Sequence, residues 1–313
     1  MYSRNFEKLV DNVLITLARS RFEIEVLSYP RNAKRRSIDI VASRGDQKLL
    51  LKVTYNIDDI HYKEARELHN IAYTLNIPSL IVGENYNRRS MEDMVLYERY
   101  RLPAITPETL EFVLTGKEEI LVYYKRGGFY VNIDRKKLRE LREKKKLSLG
   151  DIALALGVTR KAIYEYERGK MDLNIDKAEK LVELLGDDIL KPIDILRPPE
   201  KALEHDKLPN LLPEAIIIRE ACRKGYKATY AVSTVFDIAL NTGRTKYTII
   251  VEKRKERLLT KLEESEKIER IVNVKRVAII SSPNIRREVE RMGVNVVSSI
   301  DELNGDNEDK EQK

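Results

Sequence analysis

The sequence has 313 residues, a net charge of +7 and a pI of about 9.1, and this length allows two or three domains. Its single cysteine, Cys222, excludes an intramolecular disulfide framework and a zinc site built from several cysteines. No segment has the pattern of a signal peptide or the apolar length of a membrane span, which predicts a soluble cytoplasmic protein.

Residues 1–124 are predicted to form an α/β or α+β domain. Apolar spacing predicts helices over 6–19 and 58–76, strands over 22–29, 37–43, 48–55 and 78–84, and a closing segment over 108–116. Adjacent apolar strands with helices between them indicate a sheet that is covered by helices.

Residues 125–190 are predicted to be helical throughout, and they carry the positive charge of the chain. The stretch from Lys125 to Lys170 contains fourteen Lys and Arg against six Asp and Glu, a net charge of +8, whereas the rest of the chain sums to −1. This concentration of charge predicts a polyanionic partner for the central segment.

Caps and apolar spacing predict four helices within this segment. Ser148, Thr159 and Asn174 are natural N-cap residues, and Gly157 stands where a left-handed residue ends a helix. The residues expected to face the core are Leu138, Leu141, Leu147, Ile152, Ala153, Leu156, Ile163, Tyr166, Ala178, Leu181, Val182 and Leu185.

The stretch SLGDIALALGVTRKAIYEYERG, residues 148–169, resembles the DNA-binding domain of the lambda-repressor/Cro type. The positions that this family keeps hold Ala153, Gly157, Val158, Ile163 and Glu167. The resemblance implies an all-α domain of four to five helices, with a helix-turn-helix motif over about 148–168. It also implies that the helix over 159–168 lies in the major groove of DNA.

The resemblance assigns DNA-contacting roles to exposed residues of this domain. Arg160, Lys161 and Glu165 occupy the base-reading positions, with Tyr164 beside them. The positions that contact phosphates hold Ser148, Thr159, Lys170, Arg135, Lys136, Arg139 and the run Lys144 to Lys146. Glu167 and Arg168 are expected to be mainly structural.

The C-terminal part is predicted to contain a linker, a second domain and a tail. Residues 191–213 contain five of the ten prolines, which predicts a linker between domains. Residues 214–303 again alternate helix and strand, and residues 304–313 form a polar segment that is predicted to be disordered.

The two outer domains share one predicted order of helices and strands. Asp39 and Gly45 in the first match Asp237 and Gly243 in the second. We infer a diverged internal duplication; the alternative is that any two α/β domains share such an order.

The stretch SIDIVASRGDQKLLLKV, residues 37–53, resembles the PD-(D/E)xK nuclease superfamily and its archaeal junction resolvases, which implies a restriction-endonuclease-like fold. Glu7, Asp39 and Lys52 match three catalytic positions, but Leu50 stands where the second strand acid is needed. Loss of one carboxylate weakens a Mg²⁺ site, because Mg²⁺ requires oxygen ligands in near-ideal geometry. We therefore interpret Asp39 as a buried carboxylate that a nearby Lys or backbone amide satisfies.

The second outer domain departs further from the catalytic pattern. It retains Asp237, but Thr248 and Ile250 replace the acid and the lysine. The three histidines, His61, His69 and His205, lack the spacing of zinc ligands. No catalytic residue, metal site or cofactor is predicted.

The order of a degenerate nuclease-like domain, a helix-turn-helix domain and a second α/β domain resembles an archaeal family of HTH-type transcriptional regulators. This resemblance implies a sequence-specific regulator that binds double-stranded DNA as a homodimer. Two alternatives stay open. One is a Mg-dependent DNA-processing nuclease targeted by its helix-turn-helix, and the other is a helical module that binds only proteins.

Overall fold

A computed structural model of the chain describes residues 2–204, 212–252 and 254–304. The first outer domain contains three helices, α1 (Tyr2–Arg19), α2 (Tyr62–Leu75) and α3 (Pro107–Thr115). Its strands are β1 (Glu23–Val26), β2 (Ile40–Arg44), β3 (Gln47–Asn56), β4 (Ser79–Tyr86), β5 (Arg89–Ser90), β6 (Val95–Arg99) and β7 (Leu102–Ile105).

One apolar layer joins α1 and α3 to the sheet of this domain. It contains Leu9, Val13 and Leu17 of α1 together with Leu110 and Leu114 of α3. The spacing of the three α1 residues places them on one side of the helix, as the apolar periodicity of the sequence predicts.

The sheet of the first domain is mixed. Strands β1, β2 and β3 are antiparallel, β3, β4 and β7 are parallel, and β6 follows β7 as an antiparallel neighbour. This arrangement confirms the predicted α/β fold of residues 1–124, with a sheet between layers of helices.

The central domain contains four helices, as its caps predict. They are α4 (Arg135–Lys144), α5 (Leu149–Leu156), α6 (Arg160–Arg168) and α7 (Ile175–Leu185). Their buried residues include Leu138, Ile152, Ile163, Tyr166 and Leu181, which form one separate apolar core.

The prediction of helix throughout residues 125–190 is wrong at its start. Strands β8 (Val122–Lys125) and β9 (Gly128–Val131) form a hairpin, and β10 (Leu173–Asn174) pairs with β9. Aromatic and β-branched residues on both sides of Arg126 and Gly127 favour strands and a two-residue turn. Because β8 also pairs with β6, the sheet of the first domain continues into the helical domain across the predicted boundary at residues 124 and 125.

The second outer domain has a five-stranded sheet. Its elements are α8 (Pro213–Arg223), β11 (Lys227–Tyr230), β12 (Ile238–Asn241), β13 (Lys246–Val251), α9 (Lys255–Val272), β14 (Lys275–Ile279), α10 (Pro283–Arg291) and β15 (Asn295–Val297). Within the predicted linker, residues 191–204 run along the first domain, where Ile195 is buried. His205, and the predicted tail after residue 304, lie outside the described residues.

The two outer domains repeat one pattern of strand pairing. The set β11, β12, β13 and β14 has the same antiparallel, antiparallel and parallel pairings as β1, β2, β3 and β4. The carboxylates of Asp39 and Asp237 each accept a hydrogen bond from the backbone N–H fourteen residues later, at Val53 and Val251. These shared contacts support the proposal that the domains are diverged copies of one unit.

Each outer domain covers the sheet of the other with a helix. Helix α2 packs on β11 and β12, and α9 packs on β1 and β2. One continuous apolar core therefore contains Leu68 and Ile71 of α2 together with Ala239, Leu262 and Ile268 of the second domain. Neither outer domain completes this core alone.

Two glutamates, one from each outer domain, accept hydrogen bonds from the other outer domain. Glu67 of α2 accepts hydrogen bonds from the N–H groups of Val232 and Ser233, each at 2.8 Å, in the second domain. Glu264 of α9 accepts from the N–H and the hydroxyl of Ser28 in the first domain, at 3.0 and 2.8 Å. Burial raises the pKa of the Glu67 carboxyl, although the hydrogen bonds that it accepts oppose this shift.

Glu67→Ala is expected to lower the free energy of unfolding by about 1–3 kcal/mol, because two buried N–H groups lose their acceptor. The loss should be larger near pH 4.5, the ordinary pKa of the group, than at neutral pH. A carboxyl whose pKa is raised by folding contributes stability that is complete below its unfolded pKa and declines as the pH rises through its folded pKa. Urea unfolding at the two pH values measures both effects.

Glu263→Ala is the matched control, because Glu263 is exposed on α9. Its effect on the free energy of unfolding is expected to stay within about 0.5 kcal/mol at both pH values. Equal losses in the two variants, or a larger loss from Glu67→Ala at neutral pH, would contradict the account.

Candidate nucleic-acid interface

Side-chain caps define the helix-turn-helix motif. The Ser148 hydroxyl accepts a hydrogen bond from the N–H of Asp151, whose carboxylate accepts from the N–H of Ser148. Gly157 ends α5 with a φ of +63°, in the left-handed region that favours glycine. Thr159 then caps α6 by accepting from the N–H of Ala162. The predicted caps are confirmed, and they set the turn between α5 and α6.

A partly buried ion pair joins the first helix of the domain to α6. Nε of Arg142 lies 2.6 Å from Oε1 of Glu167, and a second Arg142 nitrogen donates to the Leu147 carbonyl at 3.2 Å. The two side chains are only 13% and 9% exposed. Glu167 thus holds α6 against α4, which agrees with the structural role expected for it.

The three predicted base readers, and Tyr164 next to them, lie on or beside the outward face of α6. Arg160, Lys161 and Tyr164 are exposed and Glu165 is half-buried, whereas the core side chains of this helix are buried. The Arg160 guanidinium lies over Gly150, where an added Cβ would stand 2.7 Å from its Nε. Arg160 therefore links the N-terminal ends of α5 and α6.

The ring of Tyr164 contacts a neighbouring arginine. The Tyr164 hydroxyl accepts a hydrogen bond of 2.8 Å from Arg168, whose guanidinium carbon lies 5.2 Å from the ring centroid. The hydrogen bond and the cation–π contact together favour this position of the Tyr164 ring. It also agrees with the structural role expected for Arg168.

Six of the predicted phosphate contacts lie in three places. Ser148 and Thr159 lie at the N-terminal ends of α5 and α6, where backbone N–H groups and hydroxyls favour anions. Arg135 and Lys170 lie at the other end of α6, since the Arg135 side chain packs over Gly169. Two further predicted residues are exposed on α4, Lys136 and Arg139, the second of which pairs with Glu143 at 2.9 Å.

The hairpin of β8 and β9 adds basic residues that sequence analysis did not single out. Lys125 and Tyr123 both donate hydrogen bonds to Asp172, in the loop after α6. The hydrogen bond from Lys125 is the largest cause that lowers the pKa of Asp172. Arg126 is exposed at the tip of the hairpin, next to this loop. The glycines and aromatic residues of this stretch were the signal for a hairpin.

The nuclease-like position in the first domain holds a closed ion pair. Nζ of Lys52 lies 2.9 Å from Oδ2 of Asp39, and the Arg36 guanidinium lies 3.4 Å from Oδ1. Leu50, at the position of the missing acid, is buried in the apolar core. These residues do not fit a divalent metal, because Asp39 lies between two cations and Leu50 supplies no oxygen ligand. The third matched position, Glu7, is exposed on α1.

The second domain keeps a similar pair from a different element. Asp237 lies 2.8 Å from Nζ of Lys261. This lysine belongs to α9, whereas the position on the strand that corresponds to Lys52 holds Ile250. Across residues 2–204, 212–252 and 254–304, no three His, Cys, Asp or Glu side chains form a group able to hold a metal ion. In the same residues, no helix has the length and apolarity needed to cross a membrane.

Two family models match the chain. The one described as PD-(D/E)XK superfamily domain matches residues 6–120, and the one described as Helix-turn-helix matches residues 138–187. These matches agree with the first outer domain and with helices α4 to α7.

Relatives named "Putative HTH-type transcriptional regulatory protein" match most of the chain. The protein from Aeropyrum pernix is 35% identical over 88% of this chain and 86% of its own length. The protein from Sulfurisphaera tokodaii is 32% identical over 94% of this chain and 98% of its own length. A relative from Thermococcus kodakarensis is 35% identical over 85% of this chain and 83% of its own length. No solved structure matches.

Arg142→Met is expected to destabilise the helical domain by about 1.5–3 kcal/mol, because the partly buried Glu167 carboxylate loses its charge-assisted hydrogen bond. Arg142→Met combined with Glu167→Met should recover part of this loss, since no unpaired charge remains. Urea unfolding, followed by hydrogen exchange of α4 to α7, measures the change.

Arg139→Met provides the matched control on the same helix, because the pair of Arg139 and Glu143 is exposed. Its effect is expected to be at most about 1 kcal/mol. Equal losses from Arg139→Met and Arg142→Met would refute a structural role for the pair of Arg142 and Glu167.

Proposed function

This chain belongs to the family of archaeal HTH-type transcriptional regulatory proteins, and on that premise we propose that it recognises specific DNA sequences with helix α6. The main support for this proposal is that α6 has one buried apolar face and one exposed face with basic residues. Ile163 and Tyr166 anchor the helix in the core, while Arg160, Lys161 and Tyr164 are exposed. A helix presented in this way enters the major groove with its N-terminal residues at the base edges.

Base reading is proposed for Arg160, Lys161 and Glu165 of α6. Arg160 or Lys161 pairs with O6 and N7 of guanine, and Glu165 accepts from N4 of cytosine. Tyr164 lies beside them and contributes an apolar contact from its ring edge. A good bidentate contact discriminates against the wrong base by about 1–3 kcal/mol.

Phosphate contacts are proposed on both sides of α6. The hydroxyl groups of Ser148 and Thr159 donate their hydrogens on one side, because their oxygens already accept the capping hydrogen bonds. Arg135 and Lys170 act on the other side, next to Arg126 of the hairpin. These contacts supply affinity that falls as the salt concentration rises. The positive surface is extended along α4 by Lys136 and Arg139.

We also propose that two copies of the chain bind together as a homodimer in the cytoplasm. The chain matches the helix-turn-helix family once, at residues 138–187. A pseudo-palindrome read by such domains therefore requires two chains, with half-sites about one helical turn apart.

The alternative of a Mg-dependent nuclease is disfavoured by the charges around Asp39. Lys52 and Arg36 already neutralise this carboxylate, and Leu50 removes the second metal ligand. We propose that the nuclease-like domains of this chain are not catalytic. The alternative of a module that binds only proteins does not account for the basic residues at both ends of α6.

Arg160→Ala combined with Lys161→Ala is expected to weaken binding to selected genomic fragments by about 5- to 150-fold, through the loss of a base contact worth about 1–3 kcal/mol. Fluorescence anisotropy at moderate salt, with fragments selected by the wild-type protein, measures the change. The preference for selected over random DNA should fall as well.

The control is Lys180→Ala combined with Lys191→Ala. It removes the same amount of charge from two exposed residues for which no DNA contact is proposed. This control should retain the preference for selected fragments. Unchanged binding by the variant of Arg160 and Lys161 would overturn the proposed role of α6.

A further inference from the structure

A cavity of about 200 Å³ lies beside the ion pair of Asp39 and Lys52. Phe6 of α1, Val53 of β3 and Ile60 supply apolar groups to its lining. Lys52 itself also lines the cavity. The cavity thus combines an apolar wall with a buried ammonium group.

The charges next to the cavity do not balance. Nζ of Lys52 donates to Oδ2 of Asp39 at 2.9 Å and to the carbonyl of Ala33 at 2.8 Å. An ammonium group has three N–H donors, so a third has no partner among the residues that the structure describes. Arg36 faces the same carboxylate, which leaves two cations for one anion. An anion in the cavity would balance this positive charge.

Two further charged residues line the cavity. Lys34 and Asp59 lie 3.8 Å apart, and they contribute one charge of each sign. The Lys34 side chain is 64% exposed and is therefore largely solvated. The buried positive charge that faces the cavity comes from Lys52.

The size of the cavity sets the size of the ligand. A cavity of about 150 Å³ with apolar walls holds a benzene molecule. The present cavity therefore accommodates one small ring or a short branched chain together with a single acidic group. It is too small for a nucleotide or a peptide.

The second outer domain offers an internal comparison. The space beside its pair of Asp237 and Lys261 is only about 10 Å³. That volume corresponds to about one water molecule. Among the residues that the structure describes, the space beside the ion pair of the first domain is thus much larger than the space beside that of the second.

We propose that the first outer domain binds a small organic monoanion with an apolar body, and that Lys52 receives its acidic group. The carboxylate accepts the third N–H of Lys52, and the body packs on Phe6, Val53 and Ile60. This inference goes beyond the proposed DNA binding and does not depend on it, because binding is measured on the protein alone.

The test uses isothermal titration calorimetry of the full chain with three probes at constant ionic strength. Benzoate carries both the ring and the charge, benzamide lacks the charge, and inorganic phosphate lacks the ring. Benzoate is expected to bind saturably, and each of the other two should bind about tenfold more weakly or not at all. Absence of saturable benzoate binding, or equal binding of benzoate and benzamide, would overturn the proposal.

Ala33→Phe fills the cavity from its wall and keeps the ion pair of Lys52, so it is expected to abolish benzoate binding. Ala18→Phe makes the same change at an exposed position of α1 and should leave binding unchanged. Lys52→Met, if it folds, should reduce binding by at least about tenfold. Benzoate binding that survives Ala33→Phe would place the ligand elsewhere and would overturn the assignment.

Discussion

The exchange of helices between the two outer domains is the constraint on which the rest of the structure depends. Each sheet has an apolar face that a helix of the other domain helps to cover, α2 in one direction and α9 in the other. Glu67 and Glu264 add directional hydrogen bonds to this apolar contact. Because a sheet face must be covered to be stable in water, the two domains form one support for the helical domain between them.

The helical domain is attached to this support by backbone hydrogen bonds as well as by chain connections. Strand β8 extends the first sheet, and β9 connects it to β10 directly after α6. The ion pair of Arg142 and Glu167 then fixes α6 against α4. The position of the proposed recognition helix is thereby set relative to the first sheet.

Local features could be predicted from the sequence better than features that depend on distant contacts. The caps at Ser148, Gly157 and Thr159 were predictable because the interacting groups lie within one turn of helix. The hairpin at residues 122–131 differs from the helix predicted from residue 125 onward, because the strong helical pattern begins only after residue 135. The pairing of Asp237 with Lys261 was not predictable, because Lys261 comes from a helix that only the fold brings to this strand.

The central claim is that α6 reads bases in the major groove. The most direct measurement is protection of guanine N7 from methylation on a genomic fragment that the protein selects, because N7 is exposed in that groove. The account predicts two protected clusters one helical turn apart, at about 10–10.5 base pairs. A bound fragment without any protected guanine N7, or with a single protected cluster, would contradict it.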